Sequence, residues 1–358
     1  MKKKHPLRAL LINLIGVALA FGLLFLAIRG QREQIREVLS HRIDGRLVAL
    51  GFAIYMSGLL VTFVRWYWLV RVVEPGFRLR DAFLLGFIGN VFNVLVPGAV
   101  GGDFFKAAFL SRMRIKRTQA IASMVIDRIV GLLGLFLLAG VAGVVAWTGA
   151  PIAVRRLVVI VWIALAVGLA GLAAIFAQSL TRRYPALLEG HGRGALILRE
   201  LRALSIAYRQ RLGLVGGMLV LSSLTHGMSV LAFYTVSRAL FPTGLPTLAQ
   251  HFLMVPLTLF TTAVPLPFGA LGVSENVGKL LFELVNYPKG ALGMMGFRIL
   301  MYGGGLVGAC VYLANLRQVK ALTETAEHIK EDLQEGKLEE NGTASPAIMD
   351  DPPAPQSG

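Results

Sequence analysis

Charge is what this sequence has least of. Aspartate, glutamate, lysine and arginine make up 16% of its 358 residues, whereas a soluble domain carries about a quarter. With 55% hydrophobic residues and a mean hydropathy of +0.66, a water-soluble fold is excluded. Cysteine is nearly absent: Cys310 stands alone, so one chain can build neither a disulfide framework nor a cysteine metal site. Catalytic signatures are missing too. There is no Walker loop, no Gly-x-Ser-x-Gly and no His-Glu-x-x-His, and the longest polar linker, between Arg182 and Arg211, is too short for a catalytic domain. No enzymatic activity, cofactor or metal is therefore expected, and ATP-driven pumping would need a partner protein.

Apolar runs are what the chain has instead. Leu7 to Ile28, Leu47 to Val64, Leu157 to Ala177 and Leu212 to Val236 reach or approach the roughly 20 residues a helix needs to cross about 30 Å of hydrocarbon. The first run follows Met1-Lys2-Lys3-Lys4 and ends in Ala27-Ile28-Arg29 without a small-x-small cleavage site, so it is expected to stay as an anchor.

The formal net charge is +16, but three lysines and nine acids lie beyond Arg317, which leaves 33 basic and 11 acidic residues, a net +22, in residues 1–317. These charges sit in short loops between apolar runs, where they set orientation and attract anionic lipid rather than nucleic acid. Basic clusters at Lys2 to Arg8, Arg71/Arg78/Arg80, Arg112/Arg114/Lys116/Arg117, Arg182 to Arg211 and Arg317/Lys320 are read as cytoplasmic. The connections Trp147 to Val154 and Phe241 to Gln250 have no basic residue, and the turn Asn286 to Gly290 has only Lys289. The expectation is a multi-pass protein of a bacterial-type inner membrane with both termini cytoplasmic. The loop Arg29 to Arg46 has five arginines yet falls outside; with Glu33, Glu37 and Asp44 offsetting part of that charge, it is expected as an interfacial helix. Residues 1–317 form the membrane body, and 318–358 read as an amphipathic cytoplasmic helix and a disordered tail.

Two segments begin and end on one side. Ala82 to Ser111 is broken by Val96-Pro97-Gly98-Ala99-Val100-Gly101-Gly102, and His251 to Leu284 by Pro265-Leu266-Pro267-Phe268-Gly269-Ala270-Leu271-Gly272, neither of which a continuous helix tolerates. Arms of about 15 and 10 residues would measure roughly 22 and 15 Å, too short for full crossings. An offset of 170 lays Pro97 on Pro267, Gly102 on Gly272 and Arg128-Ile129 on Arg298-Ile299. The expected fold class is all-α: about six full spans plus two opposed re-entrant helical hairpins, in an inverted repeat with halves at about 46–148 and 212–316.

Ionisable residues inside apolar segments cost a few kcal/mol or more each unless paired or hydrated. They are Arg65, Asp103, Lys106, Asp127, Arg128, Glu275, Lys279, Glu283 and Arg298. Asp103/Lys106 and Glu275/Lys279 share helix faces and make two candidate internal salt bridges. Alternatively, helix starts at Gly101-Gly102 and Leu271-Gly272 present backbone N–H groups to a phosphate, with Arg128 and Arg298 clamping it through their planar donor forks or merely neutralising Asp103 and Glu275. Asn90 and Asn93 face the first break, as caps or head-group contacts. Arg65, beside Trp66, Tyr67 and Trp68, reads as a snorkelling residue; His226 reads as a hydrogen-bonded helix residue, and Gly131/Gly134 and Gly303 to Gly305 as sites of close helix packing.

At Asn93-Val94-Leu95-Val96-Pro97-Gly98-Ala99-Val100-Gly101-Gly102-Asp103, Asp127-Arg128-Ile129-Val130-Gly131 and Pro265 through Glu275, the chain resembles the lysylphosphatidylglycerol synthase transmembrane family, also described as flippase-like domain proteins. The resemblance spans roughly Leu7 to Leu316. In the family's pattern a basic residue follows the Gly-Asp pair, as Lys106 does, and an arginine precedes the glutamate, where this chain has Ser274. The soluble aminoacyl-transfer domain joined to this region in multiple peptide resistance proteins has no counterpart here. The resemblance therefore implies translocation of a phospholipid or polyprenyl-linked lipid rather than lipid synthesis. Its expected partner is anionic membrane lipid, with a second copy of the chain or a separate lipid-modifying enzyme left open. The alternatives are a membrane glycosyl- or head-group transferase, for which the loop acids are only Glu74, Asp81, Glu189 and Glu200, and a non-transporting scaffold.

Overall fold

The apolar runs fold as helices because a bilayer offers no water to an unpaired backbone, and a helix satisfies its own N–H and C=O groups. The computed structural model describes residues 21–95, 117–177, 208–263 and 270–316 apart from positions 27, 30, 41 and 149, together with residues 102, 106, 107, 109, 110, 199, 202, 205 and 206. Among the described residues there is no strand. The helices are α1 (Arg32–Ser40), α2 (Gly45–Val73), α3 (Leu79–Leu95), α4 (Arg117–Val145), α5 (Ile152–Ala177), α6 (Leu212–Leu240), α7 (Leu248–Ala263), α8 (Val273–Glu283) and α9 (Gly290–Ala314). Five of them, α2, α4, α5, α6 and α9, are long and apolar enough to cross a membrane. The expected sixth span lies largely in residues 1–20, outside the described residues, as does everything after Leu316.

Local chemistry sets the helix ends. Asp44 caps α2 by accepting the Arg46 N–H at 2.9 Å, and α2 stops at Val73 because Pro75, two residues on, cannot continue it. At the centre α2 packs on α6 more extensively than any other pair. The two run antiparallel: Gly51 faces Ala232 and Thr235, Gly58 faces Met228 and Thr225, and Arg65 reaches Ser222.

Both expected hairpins are visible in ring contacts between their ends. Phe77, just before α3, lies 6.3 Å from Phe109 on the return arm, so the chain comes back to the level at which it entered. His251, at the start of α7, lies 5.3 Å from Phe282, at the end of α8. Helices α7 and α8, with 16 and 11 residues, measure about 24 and 17 Å, too short to cross. The hairpins open on opposite faces. Phe77 packs on Trp66 near the end of α2, His251 packs on Phe233 and Tyr234 near the end of α6, and those two helix ends point in opposite directions.

The halves are interlocked. Helix α3 of the first half packs on α9 of the second, and α7 of the second packs on α4 of the first, the exchange that an inverted repeat requires. Helix α5 packs mainly on α4, leaving Ile160, Ile163 and Val167 exposed as a lipid-facing surface. The expected helix in the Arg29 to Arg46 loop is α1. The Gln31 side chain donates to the Pro288 carbonyl at 2.8 Å, and Glu37 pairs with Lys289 at 2.6 Å, which puts α1 on the same face as the α8–α9 turn.

In a Cys310→Ala background, single cysteines Arg78→Cys and Arg114→Cys should react with a membrane-impermeant thiol reagent from one face, and Arg42→Cys, Thr247→Cys and Asn286→Cys from the other. Arg78→Cys and Arg114→Cys labelling from opposite faces would remove the first hairpin and the inverted repeat with it.

Candidate functional site

A cavity of about 340 Å³ opens where α2, α4, α6, α7 and α9 converge. Its apolar wall comes from Leu132, Leu135, Leu259, Phe297 and Met301; its polar wall holds Thr62 and Arg65 from α2, Asp127 and Arg128 from α4, and Thr225, His226 and Ser229 from α6. Elements of both halves are needed to enclose it.

Arg65 organises the polar wall. Its side chain is only 7% exposed and that of Asp127 16%, with Nη2 at 3.0 Å from Oδ1 and 3.1 Å from Oδ2. Nη1 donates to Ser222 Oγ at 2.9 Å, and the Ser222 hydroxyl donates to the Gly131 carbonyl at 3.2 Å. His226 Nε2 lies 3.1 Å from that same carbonyl, a contact that requires the proton on Nε2. One arginine thus ties α2, α4 and α6 together. The reading of Arg65 as a snorkelling residue is overturned: its charge is satisfied inward by Asp127, not at the interface. His226 is hydrogen-bonded within the helix packing, as expected.

The second hairpin holds a separate network. Glu275 is fully buried, with Oε1 at 2.6 Å from Arg298 Nε and Oε2 accepting the Gly272 N–H at 2.6 Å. Arg298 Nη2 also donates to the Ala270 carbonyl at 3.4 Å, which accepts the Ser274 hydroxyl at 3.1 Å; Thr261 donates to Ser274 at 2.9 Å. Gly272 has φ +81°, a conformation that costs an L-residue with a side chain roughly 1 kcal/mol or more. At this point the chain turns and α8 begins, and Glu275, in its first turn, reaches back to the amide that the turn leaves open. At the first hairpin the equivalent amide, Gly102 N–H, is taken by Asn93 Oδ1 at 3.1 Å. A Cβ on Gly102 would run into the Gly89 carbonyl, so glycine is what lets the return arm lie against α3.

The two equivalent arginines therefore stand in different places. Arg128 lines the cavity; Arg298 is buried in its pair with Glu275 and is not among the lining residues. The backbone N–H groups expected to face a phosphate have side-chain partners at both Gly102 and Gly272. Glu275 pairs with Arg298 rather than with Lys279, which lies half-buried on α8 and outside the cavity lining. Lys106 places its Nζ 4.7 Å from the centre of the Trp66 ring. Gly101 and Asp103 lie outside the described residues. Close packing at the glycines is observed: a Cβ on Gly134 would meet Ser222, and one on Gly304 would meet Tyr55. Asp127, Ser222 and His226 are polar members of this region that the sequence did not bring together.

A family model described as the lysylphosphatidylglycerol synthase TM region matches residues 13–308. The chain belongs to that family. Both hairpins, the cavity and every charge pair just described fall within the matched stretch, which ends inside α9. No curated protein and no solved structure matches the chain.

Removing one partner of a buried ion pair strands the other charge, at a cost of about 3 to 5 kcal/mol. Arg298→Gln should therefore lower the thermal midpoint and yield sharply, and adding Glu275→Gln should recover most of both, since a glutamine oxygen can still accept the Gly272 N–H. A single variant as stable as the parent in a melting assay would show that the pair does not hold the hairpin.

Proposed function

We propose that this protein moves a lipid with an anionic head group, a phospholipid or a polyprenyl-linked lipid, across the bacterial inner membrane by alternating access. The observation that carries this reading is the cavity between the two opposed halves. It presents two arginines against one aspartate on its polar side and leucine, phenylalanine and methionine on the other. Such a wall suits a ligand with a negative head and an apolar body. Membership of a lipid-related membrane family supports the same class of substrate.

In this reading Arg128 is the head-group contact. A guanidinium offers a planar fork of donors that matches two phosphate oxygens, and Arg65, neutralised by Asp127 and held by Ser222, lines the same polar wall. Arg298, Glu275 and Gly272 hold the second hairpin in shape, as Asn93 and Gly102 hold the first. The basic clusters support a cytoplasmic Arg78 and cytoplasmic termini. Partners beyond the lipid are a second copy of the chain or an enzyme that makes or modifies the lipid.

Reconstitution into liposomes with head-group-labelled lipid tests this. The parent should equilibrate label between leaflets; Arg128→Gln, reconstituted at equal protein, should abolish movement, and Arg128→Lys should restore little because an ammonium lacks the fork. Transport at the parental rate in Arg128→Gln, or conversion of the labelled lipid to a new species, would reject the proposal.

A further inference from the structure

Around the first hairpin, the described residues leave hydrogen-bond donors without acceptors. Lys106 is half-buried on the return arm, and its Nζ meets the face of Trp66, with the ring centre 4.7 Å away; among the described residues no hydrogen bond or ion pair engages it. Trp66 is itself 2% exposed, and its indole Nε1 is buried without an acceptor. Asn90 Nδ2, next in the chain to Gly89, is likewise buried without one. None of these three residues lines the cavity described above.

Packing fixes the lysine in place. The Gly89 and Gly102 backbones touch, and a Cβ on Gly89 would meet Lys106 Cε at 3.4 Å, so the lysine stem lies along α3. A cation over an indole face is favourable when desolvated, yet the ring leaves the N–H donors of the ammonium unused, and the indole N–H is a donor that the fold also leaves unused. Native proteins pair nearly all such buried groups. Unpartnered donors in one region, one of them charged, call for a ligand rich in acceptors and negative in charge. The closest acid in sequence, Asp103, lies outside the described residues, and Asp81 is in the first turn of α3.

We infer a second anion site at this hairpin, in which Lys106 Nζ and Trp66 Nε1 bind a phosphate-type oxyanion, separate from the transport cavity. The hairpin opens on the face that carries Arg78 and Arg80, so the oxyanion comes either from the head group of a lipid in that leaflet or from soluble phosphate.

The test uses the full chain carrying Arg128→Gln, which removes the cavity's head-group contact, with the melting temperature followed against added phosphatidylglycerol, diacylglycerol or inorganic phosphate. Phosphatidylglycerol should raise the midpoint and diacylglycerol should not. Adding Lys106→Gln should abolish the shift, and adding Trp66→Phe, which keeps a ring but loses the N–H, should demand roughly tenfold more lipid for the same shift. If Lys106→Gln does not fold, Lys106→Arg, which keeps charge and donors, should retain the shift, and Trp66→Phe decides. A shift reproduced by inorganic phosphate assigns the site to a soluble anion; a shift seen only with phosphatidylglycerol assigns it to lipid. No shift before the second substitution, or a full shift in either Lys106→Gln or Trp66→Phe, would overturn the site. Lipid movement is measured separately, so a failed site leaves the transport proposal standing, and the converse holds.

Discussion

A helix that stops halfway across a bilayer must find partners for its terminal backbone groups within the protein, because hydrocarbon supplies none. This chain stops twice, and each time a side chain closes the gap: Asn93 for the Gly102 N–H and Glu275 for the Gly272 N–H. Glu275 carries a charge into the interior, and Arg298 answers it. The sequence of obligations runs from backbone to carboxylate to guanidinium. Without the break there would be no reason for a buried acid in α8, and without the acid no reason for a buried arginine in α9.

The same rule shapes the centre of the molecule. Arg65 sits in α2, and it is tolerable there because α4 provides Asp127 and α6 provides Ser222. That arrangement joins three helices from both halves through directional contacts, where aliphatic packing would leave their rotation free. Buried pairs of this kind stabilise little over a well-packed apolar core but are costly to break.

Much of this was legible in the sequence, for identifiable reasons. Apolar length and helix-breaking Pro-Gly clusters are local signals, so the spans among the described residues, both re-entrant hairpins and the helix between Arg29 and Arg46 could be read directly. Charge asymmetry in the loops gave the order of faces, and contacts such as Glu37 with Lys289 agree with it. Pairings across the fold were not legible. Arg65 and Asp127 are 62 residues apart and Arg65 and Ser222 157 apart, and no periodicity connects them. The aromatic neighbours Trp66, Tyr67 and Trp68 pointed instead to an interfacial role, because sequence shows what flanks a residue and not which face of the helix it occupies. Arg65 and Trp66 point to different neighbours: Arg65 to α4 and α6, Trp66 to Phe77 and Lys106.

Duplication explains the architecture, and divergence between the copies explains the site. At the offset that aligns Arg128 with Arg298, the position of Glu275 corresponds to Phe105 and that of Phe297 to Asp127. The first copy therefore cannot repeat the Glu275–Arg298 pairing at the same positions, and Arg128 lines the cavity while its counterpart stays buried against Glu275. In place of that acid the first copy has Asp127, beside Arg128, which engages Arg65 from the neighbouring helix. Two halves with the same fold thus distribute their charges differently, one to hold a hairpin and one to line a chamber. That difference gives an otherwise symmetric scaffold a cavity with one polar side and one apolar side.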